Sequence, residues 1–239
     1  MTSMSTQYGQ ALVIQNPLII ALDVDSKEKA LQLATDLSPY AGAFKLGPRL
    51  IHRYGEEFVK KIASYAPVFV DCKFFDIPST MESSVQAAFD AGASLVTIHA
   101  LSGHEAMKKI SMLEQKLNQL RPFKVLCVTI LTSWDQQSLP PVMKEEKISQ
   151  HVVSLANLAI QSGLSGLVCS AEELDLLKGK GHFTVVPGIR IDSLSDDQKR
   201  VMTPELAMKK GASALVVGRP IIAAANPKLA AEEFLKRIK

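Results

Sequence analysis

The sequence predicts an α/β protein built as a (β/α)8 barrel, the TIM barrel architecture. Short, nearly continuous apolar runs alternate with longer amphipathic stretches, which indicates strands buried on both faces and hence a parallel sheet. Eight such runs fit within 239 residues, close to the roughly 250 residues typical of this barrel. The alternative is an open, doubly wound sheet, but no GxGxxG pattern follows the first strand.

Each predicted strand is rich in aliphatic and β-branched residues, and each predicted helix has apolar residues at helical spacing. Ser26 suits a helix N-cap, and Pro48 suits the first turn of a helix. The predicted strands, in chain order, are 17–24, 42–47, 67–74, 94–100, 124–131, 166–170, 183–189 and 214–220. The predicted helices are 26–38, 48–64, 79–91, 103–120, 145–162, 171–178 and 226–239.

Composition favours one barrel domain over residues 1–239, with 1–15 as a peripheral N-terminal extension. The chain is 47% hydrophobic, enough for a large core. A net charge of +3, without a block of lysine or arginine, argues against a nucleic-acid partner. No apolar run approaches the roughly 20 residues that span a bilayer, and the N-terminus lacks the pattern of a signal peptide.

The three cysteines predict a cytoplasmic protein with reduced thiols. Cys72, Cys127 and Cys169 are odd in number, lie in apolar runs and form no CxxC pair. This pattern suggests neither a disulfide framework nor a zinc site.

Polar residues follow the predicted strands at the end where such barrels carry their active sites. Because the carboxyl ends of parallel strands meet at one mouth, we expect these side chains to converge there. The residues at or just past the strand ends are Asp23, Lys45, Asp71, Lys73, His99, Thr129, Thr132, Arg190 and Arg219. His99 is expected to be a hydrogen-bonded residue of the rim.

The stretch DCKFFDIP, residues 71–78, places three charges at the end of a buried strand. Asp71 and Lys73 are two residues apart, so they share a face of the strand, while Cys72 points towards the helices. Lys45 on the neighbouring strand extends the pair to an alternating row, which supplies the partners that buried charges need. The alternative is a structural ion pair at the rim.

A phosphate site is predicted after strands seven and eight, where barrels often bind phosphate. Gly218 allows a close approach of the backbone, and Arg219 offers a planar fork of donors. The long polar loop after strand seven adds Gln198 as a donor. The alternative is an ordinary turn with a surface arginine.

Seven motifs carry a resemblance to a known family. They are ALDVD (21–25), FKLG (44–47), DCKFFDIPST (71–80), VTILTSW (128–134), VVPGIR (185–190), DDQKRVMTP (196–204) and VVGRP (216–220). In this order they resemble the orotidine 5′-monophosphate decarboxylases of the bacterial single-function type, over essentially the whole chain from Pro17. The D-x-K-x-x-D pattern alone also resembles magnesium-dependent sugar-phosphate decarboxylases and aldolases of the same superfamily. A non-catalytic phosphate-binding barrel is a further alternative.

The resemblance implies decarboxylation of orotidine 5′-monophosphate to uridine 5′-monophosphate without a cofactor or metal, the last step of de novo UMP synthesis. It implies electrostatic stabilisation of a carbanion at C6 and protonation by Lys73. The implied catalytic residues are Lys45, Asp71, Lys73 and Asp76. The implied substrate-binding residues are Asp23, Ile77, Thr80, Thr132, Arg190, Gln198, Gly218 and Arg219.

The position of Asp76, together with the resemblance, predicts a homodimer. It lies three residues past Lys73, along a chain that covers about 3.3 Å per residue when extended. The following Ile-Pro step resists folding back, because the residue before proline avoids the α region. Asp76 is therefore poorly placed to rejoin the row of its own barrel. The resemblance implies that Asp76 and Thr80 enter the site of the neighbouring subunit instead.

Overall fold

In the computed structural model, which describes residues 13–191 and 201–238, eight parallel strands form one closed barrel in the order β1 to β8. The barrel closes where β1 pairs with β8, at Leu18 and Leu215. The strands are β1 (Leu18–Ala21), β2 (Ala43–Leu46), β3 (Val68–Phe74), β4 (Ala93–His99), β5 (Lys124–Val128), β6 (Gly166–Val168), β7 (Phe183–Val186) and β8 (Ala214–Val217). The predicted fold class is confirmed.

Helices follow the strands and surround the barrel. Ser26 Oγ accepts a hydrogen bond from the Lys29 N–H at 3.2 Å, as expected for an N-cap, and Pro48 occupies the first turn of its helix. The helices of the described residues are α1 (Lys27–Leu37), α2 (Pro48–Ala63), α3 (Pro78–Asp90), α4 (Gly103–Asn118), α5 (Ile148–Gln161), α6 (Leu174–Leu177), α7 (Pro204–Lys209), α8 (Arg219–Ile222) and α9 (Pro227–Ile238).

The helices differ from the prediction in three places. The short α7 and α8 were not predicted, because six and four residues are too few to display a helical repeat. The predicted continuous helix 48–64 is interrupted at Gly55, which adopts a φ of 65°. The predicted helix 171–178 is reduced to a 3₁₀ turn followed by the four residues of α6.

Two apolar layers follow from the alternation of side chains along the strands. The outer layer packs the strands against the helices; from β1 it includes Leu18 and Ile20. The inner layer fills the barrel with the intervening residues, namely Ile19, Ala21, Ala43, Phe69, Leu95, Leu126, Val185, Ala214 and Val216, together with Ile14. The side chains that continue the inward-facing positions towards the carboxyl ends of the strands therefore lie above this layer.

The cysteines carry no disulfide bond. Cys127 and Cys169 are buried, and Cys72 packs against the outer layer, as its place between Asp71 and Lys73 predicted. In the stretches 13–191 and 201–238, no helix is both long enough and apolar enough to cross a membrane.

Candidate active site

A cavity of about 500 Å³ lies at the carboxyl ends of the strands. Its floor belongs to the inner apolar layer and includes Ala21, Phe69, Val185 and Val216. Most of the site residues predicted from the sequence line this cavity: Asp23, Lys45, Asp71, Lys73, Thr132, Arg190, Gly218 and Arg219. The expected convergence of the strand ends is thus present in the structure.

Four of these residues form a continuous line of alternating charges, which we call the charged row: Asp23, Lys45, Asp71 and Lys73. Lys45 Nζ lies 3.1 Å from Asp23 Oδ1 and 3.7 Å from Asp71 Oδ2. Lys73 Nζ lies 2.9 Å from Asp71 Oδ1. The row crosses from β1 through β2 to β3, so neighbouring strands hold neighbouring charges of opposite sign.

Asp71 lies between the two lysines of the charged row. Burial alone would raise the pKa of its carboxyl group. The charges of Lys45 and Lys73, with hydrogen bonds from Lys73 and Thr97, outweigh burial and hold that pKa below its ordinary value. Asp71 is therefore ionised at neutral pH, although its side chain is only 15% exposed.

Strand β3 is not regular where it delivers Asp71 and Lys73. Lys73 has a φ of 49°, in the left-handed region that L-residues rarely adopt. The two side chains meet, as expected. They do not meet through the regular two-residue alternation of a strand, because β3 bulges between Val70 and Phe74. Cys72 faces the other way; burial and then the charge of Asp71 raise the pKa of its thiol to about 11.

The loops after β7 and β8 supply the basic part of the cavity. Because β7 lies four strands away from β3 in a barrel of eight, the loop after β7 faces Asp71 and Lys73 across the mouth. The loop after β8 lies beside Asp23, since β8 pairs with β1. Arg190 donates to the Ile189 carbonyl at 2.9 Å, and Arg219 is the first residue of α8. Gly188 lines the cavity with a φ of 76°, which favours glycine.

Gly218 is not required by packing within the chain. A Cβ atom there would meet Ala21 Cβ at 3.5 Å and Asp23 Oδ2 at 3.9 Å, which are ordinary contacts. Because Gly218 lines the cavity beside Asp23, a side chain at this position would take up space in the cavity.

Three predicted site residues lie outside the cavity of their own chain. Asp76, Ile77 and Thr80 are exposed, and Asp76 Oδ1 accepts the N–H of Ile77 at 2.6 Å. Within one chain the charged row ends at Lys73, and its fourth member is Asp23 rather than Asp76. Gln198 falls outside the described residues.

Exposed apolar residues flank Asp76 in the chain. Phe75 is 62% exposed, Ile77 64% and Leu101 43%. The Phe75 ring lies 5.8 Å from the ring of His99, whose Nδ1 accepts the Leu101 N–H at 3.3 Å. Burial, and then the charge of Lys73, lower the pKa of His99. His99 is thus the hydrogen-bonded rim residue that the sequence suggested.

Sequence reasoning missed Arg49, Thr97 and Gly188. Arg49 lines the cavity and pairs with Asp25 at 3.1 Å, and Thr97 bonds to Asp71 beneath the charged row. A polar residue at an inward position, two residues before His99 on β4, was an available signal for Thr97. Among the residues that the structure describes, no group of three or more His, Cys, Asp or Glu side chains could hold a metal ion.

Comparisons with known proteins find related sequences and a related fold. The family model described as orotidine 5′-phosphate decarboxylase / HUMPS family matches residues 16–234. A curated protein named orotidine 5′-phosphate decarboxylase from Carboxydothermus hydrogenoformans is 40% identical over 230 residues, covering 93% of this chain and 95% of the relative. One of the same name from Pseudoalteromonas translucida is 39% identical over 227 residues, covering 93% and 97%. A crystal structure of orotidine 5′-phosphate decarboxylase from Lactobacillus acidophilus superposes with a TM-score of 0.82 at 31% identity, covering 94% of this chain and 99% of that one.

Proposed function

The chain belongs to the orotidine 5′-phosphate decarboxylase / HUMPS family, and we propose that it converts orotidine 5′-monophosphate to uridine 5′-monophosphate and carbon dioxide. The observation that carries this proposal is the charged row at the mouth of the cavity. Its carboxylate and ammonium groups, 2.9 Å apart at Asp71 and Lys73, suit a reaction in which a carboxylate leaves and a proton replaces it.

Lys73 acts at pyrimidine C6. The bond between C6 and the carboxylate carbon breaks, and its electron pair stays on C6, where ordinary resonance delocalises it poorly. Many decarboxylases use a cofactor as an electron sink. Here the Lys73 ammonium group stabilises the developing negative charge, which such a group does best in a preorganised site. Lys73 then donates a proton to C6 as the general acid and regains one from solvent.

Asp71 lies beside the carboxylate that departs. Since its own carboxyl group stays ionised at neutral pH, it repels the substrate carboxylate, and this repulsion falls as carbon dioxide forms. Lys45, between Asp23 and Asp71, balances both carboxylates and fixes their orientation.

The phosphate of the substrate binds at the loops after β7 and β8, away from Asp71 and Lys73. Arg219, Arg190 and the Gly218 backbone supply the contacts there, with Gln198 from the loop after β7. Asp23 holds a ribose hydroxyl, and Thr132 contacts the substrate. Binding energy from the phosphate, far from the bond that breaks, is available to hold the base against the charged row.

We further propose that the active form is a homodimer. Asp76 and Thr80, together with Ile77, complete the site of the neighbouring subunit. The proposal is supported by the exposure of the large apolar side chains Phe75 and Ile77 on either side of Asp76, since exposed apolar surface is often covered in a protein interface. A two-fold interface would place each chain's Asp76 at its partner's charged row.

The decisive experiment is an absorbance assay of orotidine 5′-monophosphate consumption by the purified protein. Turnover with stoichiometric formation of uridine 5′-monophosphate is expected. If folded protein binds the nucleotide but converts none of it, the decarboxylase assignment is wrong, and the non-catalytic phosphate-binding barrel takes its place.

Metal removal separates the proposed reaction from the magnesium-dependent sugar-phosphate chemistry that shares the D-x-K-x-x-D pattern. After dialysis against EDTA, we expect the rate of decarboxylation to be unchanged, because the charged row supplies the electrostatic stabilisation. Adding Mg²⁺ back is the control. Loss of turnover in EDTA with recovery in Mg²⁺ would contradict the metal-independent mechanism.

Arg219→Ala tests the phosphate contact. We expect kcat/KM to fall roughly 100-fold or more, because a forked contact to a charged group is worth about 3 kcal/mol. Part of the loss should fall on kcat, since remote binding energy is used at the reacting centre. Arg237→Ala is the matched control: Arg237 pairs with Glu205 at 2.8 Å, and lies outside the cavity lining. A normal kcat/KM in Arg219→Ala would remove Arg219 from the phosphate site.

A further inference from the structure

Strand β3 has two extra residues, relative to β4, in the segment that carries Asp71 and Lys73. Val70 pairs with Val96 of β4, and the next pair is Phe74 with Ile98. Four steps along β3 therefore match two steps along β4, which is a bulge. Lys73, inside the bulge, is the sole non-glycine residue with a positive φ in the stretches that the structure describes.

Thr97 lies on β4 opposite this bulge, between the two regular pairs. Its Oγ1 accepts the backbone N–H of Lys73 at 2.9 Å and donates to Asp71 Oδ1 at 2.9 Å. A threonine hydroxyl has one proton to give and lone pairs to accept with, so a single group serves both bonds. The bulge takes the Lys73 amide out of the regular ladder, and the Thr97 hydroxyl provides an acceptor for this partly buried N–H.

The Thr97 hydroxyl and the Lys73 ammonium group bind the same oxygen of Asp71. Asp71 Oδ1 receives both the Thr97 hydroxyl and Lys73 Nζ, each at 2.9 Å. Thr97 has no exposed surface and does not belong to the cavity lining. It therefore holds the backbone of Lys73 and the carboxylate of Asp71 from below, without reaching a bound substrate.

We propose that Thr97 is a positioning residue, whose hydroxyl holds the left-handed backbone of Lys73 and the carboxylate of Asp71 in the geometry needed for decarboxylation. This inference rests on the proposed function. Both groups depend on the same hydroxyl, so its loss moves the proton donor and the neighbouring carboxylate together. Displacements of about 1 Å at a reacting centre can lower turnover on the order of 100-fold.

Thr97→Val is the main test, because it removes the hydroxyl and keeps the branched shape. We expect kcat to fall roughly 100-fold, while KM and the affinity for uridine 5′-monophosphate change much less, since the phosphate contacts are untouched. Thr97→Ser keeps the hydroxyl and should restore most of kcat. Should Thr97→Val not fold, Thr97→Cys, with its weakly hydrogen-bonding thiol, should show the same loss of kcat.

Thr184→Val is the matched control. Thr184 is buried on β7 near its N-terminal end, where its hydroxyl donates to the Gly211 carbonyl at 3.3 Å and accepts the Ser213 N–H at 3.2 Å. Losing this hydroxyl should lower the melting temperature comparably but leave kcat unchanged. Equal losses of kcat in Thr97→Val and Thr184→Val would indicate a general effect of a lost buried hydroxyl and overturn the proposal.

The pH profile of kcat gives a readout that a purely structural role would not move. Burial raises the pKa of Asp71, and the Thr97 hydrogen bond is among the contacts that lower it, together with Lys45 and Lys73. In Thr97→Val we therefore expect the acid limb of the kcat profile to move to higher pH. An unshifted profile with normal kcat would mean that Thr97 only fills space in the barrel wall.

Crystal structures of the wild type and Thr97→Val test the geometry without relying on turnover. The variant should lose the left-handed conformation at Lys73 or the contact between Lys73 Nζ and Asp71 Oδ1. An unchanged bulge and ion pair would refute the positioning role. If the wild type consumed no orotidine 5′-monophosphate, the proposed function would fail, and the two structures would still decide whether Thr97 holds these groups.

Discussion

Lys73→Ala is expected to lower the rate of decarboxylation by a factor on the order of 10⁴ or more. General acid catalysis typically contributes about 10² to 10⁴, and loss of a preorganised charge at the reacting centre adds about 10² to 10³. The affinity for uridine 5′-monophosphate should change much less, since the proposed phosphate contacts of Arg219 and Arg190 are left intact. Single-turnover kinetics and equilibrium binding measure the two effects separately.

Lys60→Ala is a suitable control for removing an ion-paired lysine. Lys60 lies in α2, outside the cavity lining, and pairs with Glu57 at 3.1 Å. Its loss should leave decarboxylation unchanged.

The fold of Lys73→Ala should survive because Asp71 keeps Lys45 and the Thr97 hydroxyl as partners. Turnover within tenfold of the wild type would show that another group protonates C6.

The same variant has an expected pH signature in its stability. Although burial opposes it, the pKa of Asp71 is lowered in the fold, with Lys73 as one cause. A lowered carboxyl pKa contributes stability above the unfolded value, near 3.8, and this contribution is lost as pH falls through the folded value. The difference in melting temperature between the wild type and Lys73→Ala should therefore be present at pH 7 and shrink below about pH 4.

The barrel and much of the lining of its cavity could be predicted because parallel strands carry a strong signal. Buried strands read as apolar runs, and their carboxyl ends must meet at one mouth. The positions of Asp23, Lys45, Asp71 and Arg219 follow directly from the strands that they end. Each of these residues lines the cavity.

The bulge in β3 could not be predicted. No local sequence pattern indicates a lysine with positive φ, and its N–H bonds to the hydroxyl of Thr97 on the neighbouring strand, a contact distant in sequence. The regular repeat still gave the right neighbours, since the Lys73 side chain is long enough to return to Asp71. The sequence did not show that Asp23 joins the row: it reaches Lys45 across β1 and β2, a contact that spacing along the chain does not reveal. The expected place of Asp76 in the row of a neighbouring subunit stays a prediction.

The helices after β7 and β8 show a second limit. Six residues in α7 and four in α8 are too short for a periodic signal, so proline and glycine were the only local indications. Arg219 was nevertheless assigned to the cavity from its position after β8. Position relative to a strand end predicted the site better than the type of element that follows.

The second large effect is expected from mixing two inactive homodimers, Lys73→Ala and Asp76→Ala. Each alone should have little activity. If each subunit supplies Asp76 to its partner, a mixed dimer has one site with both lesions and one site with none. Random exchange of equal amounts makes half of the dimers mixed, so roughly a quarter of the wild-type sites should return. Activity measured during exchange should rise to that level.

Mixing Lys73→Ala with Asp71→Ala is the matched control. These two residues form an ion pair within one chain, at 2.9 Å, so every site of a mixed dimer would carry a lesion and no activity should return. Subunit exchange is monitored with differently tagged chains in both mixtures. Asp76 is exposed and lies outside the cavity lining of its own chain, which is why its lesion should be repaired by the partner. Complete exchange without recovery in the Asp76→Ala mixture would mean that Asp76 acts within its own chain or that the two-fold arrangement is wrong.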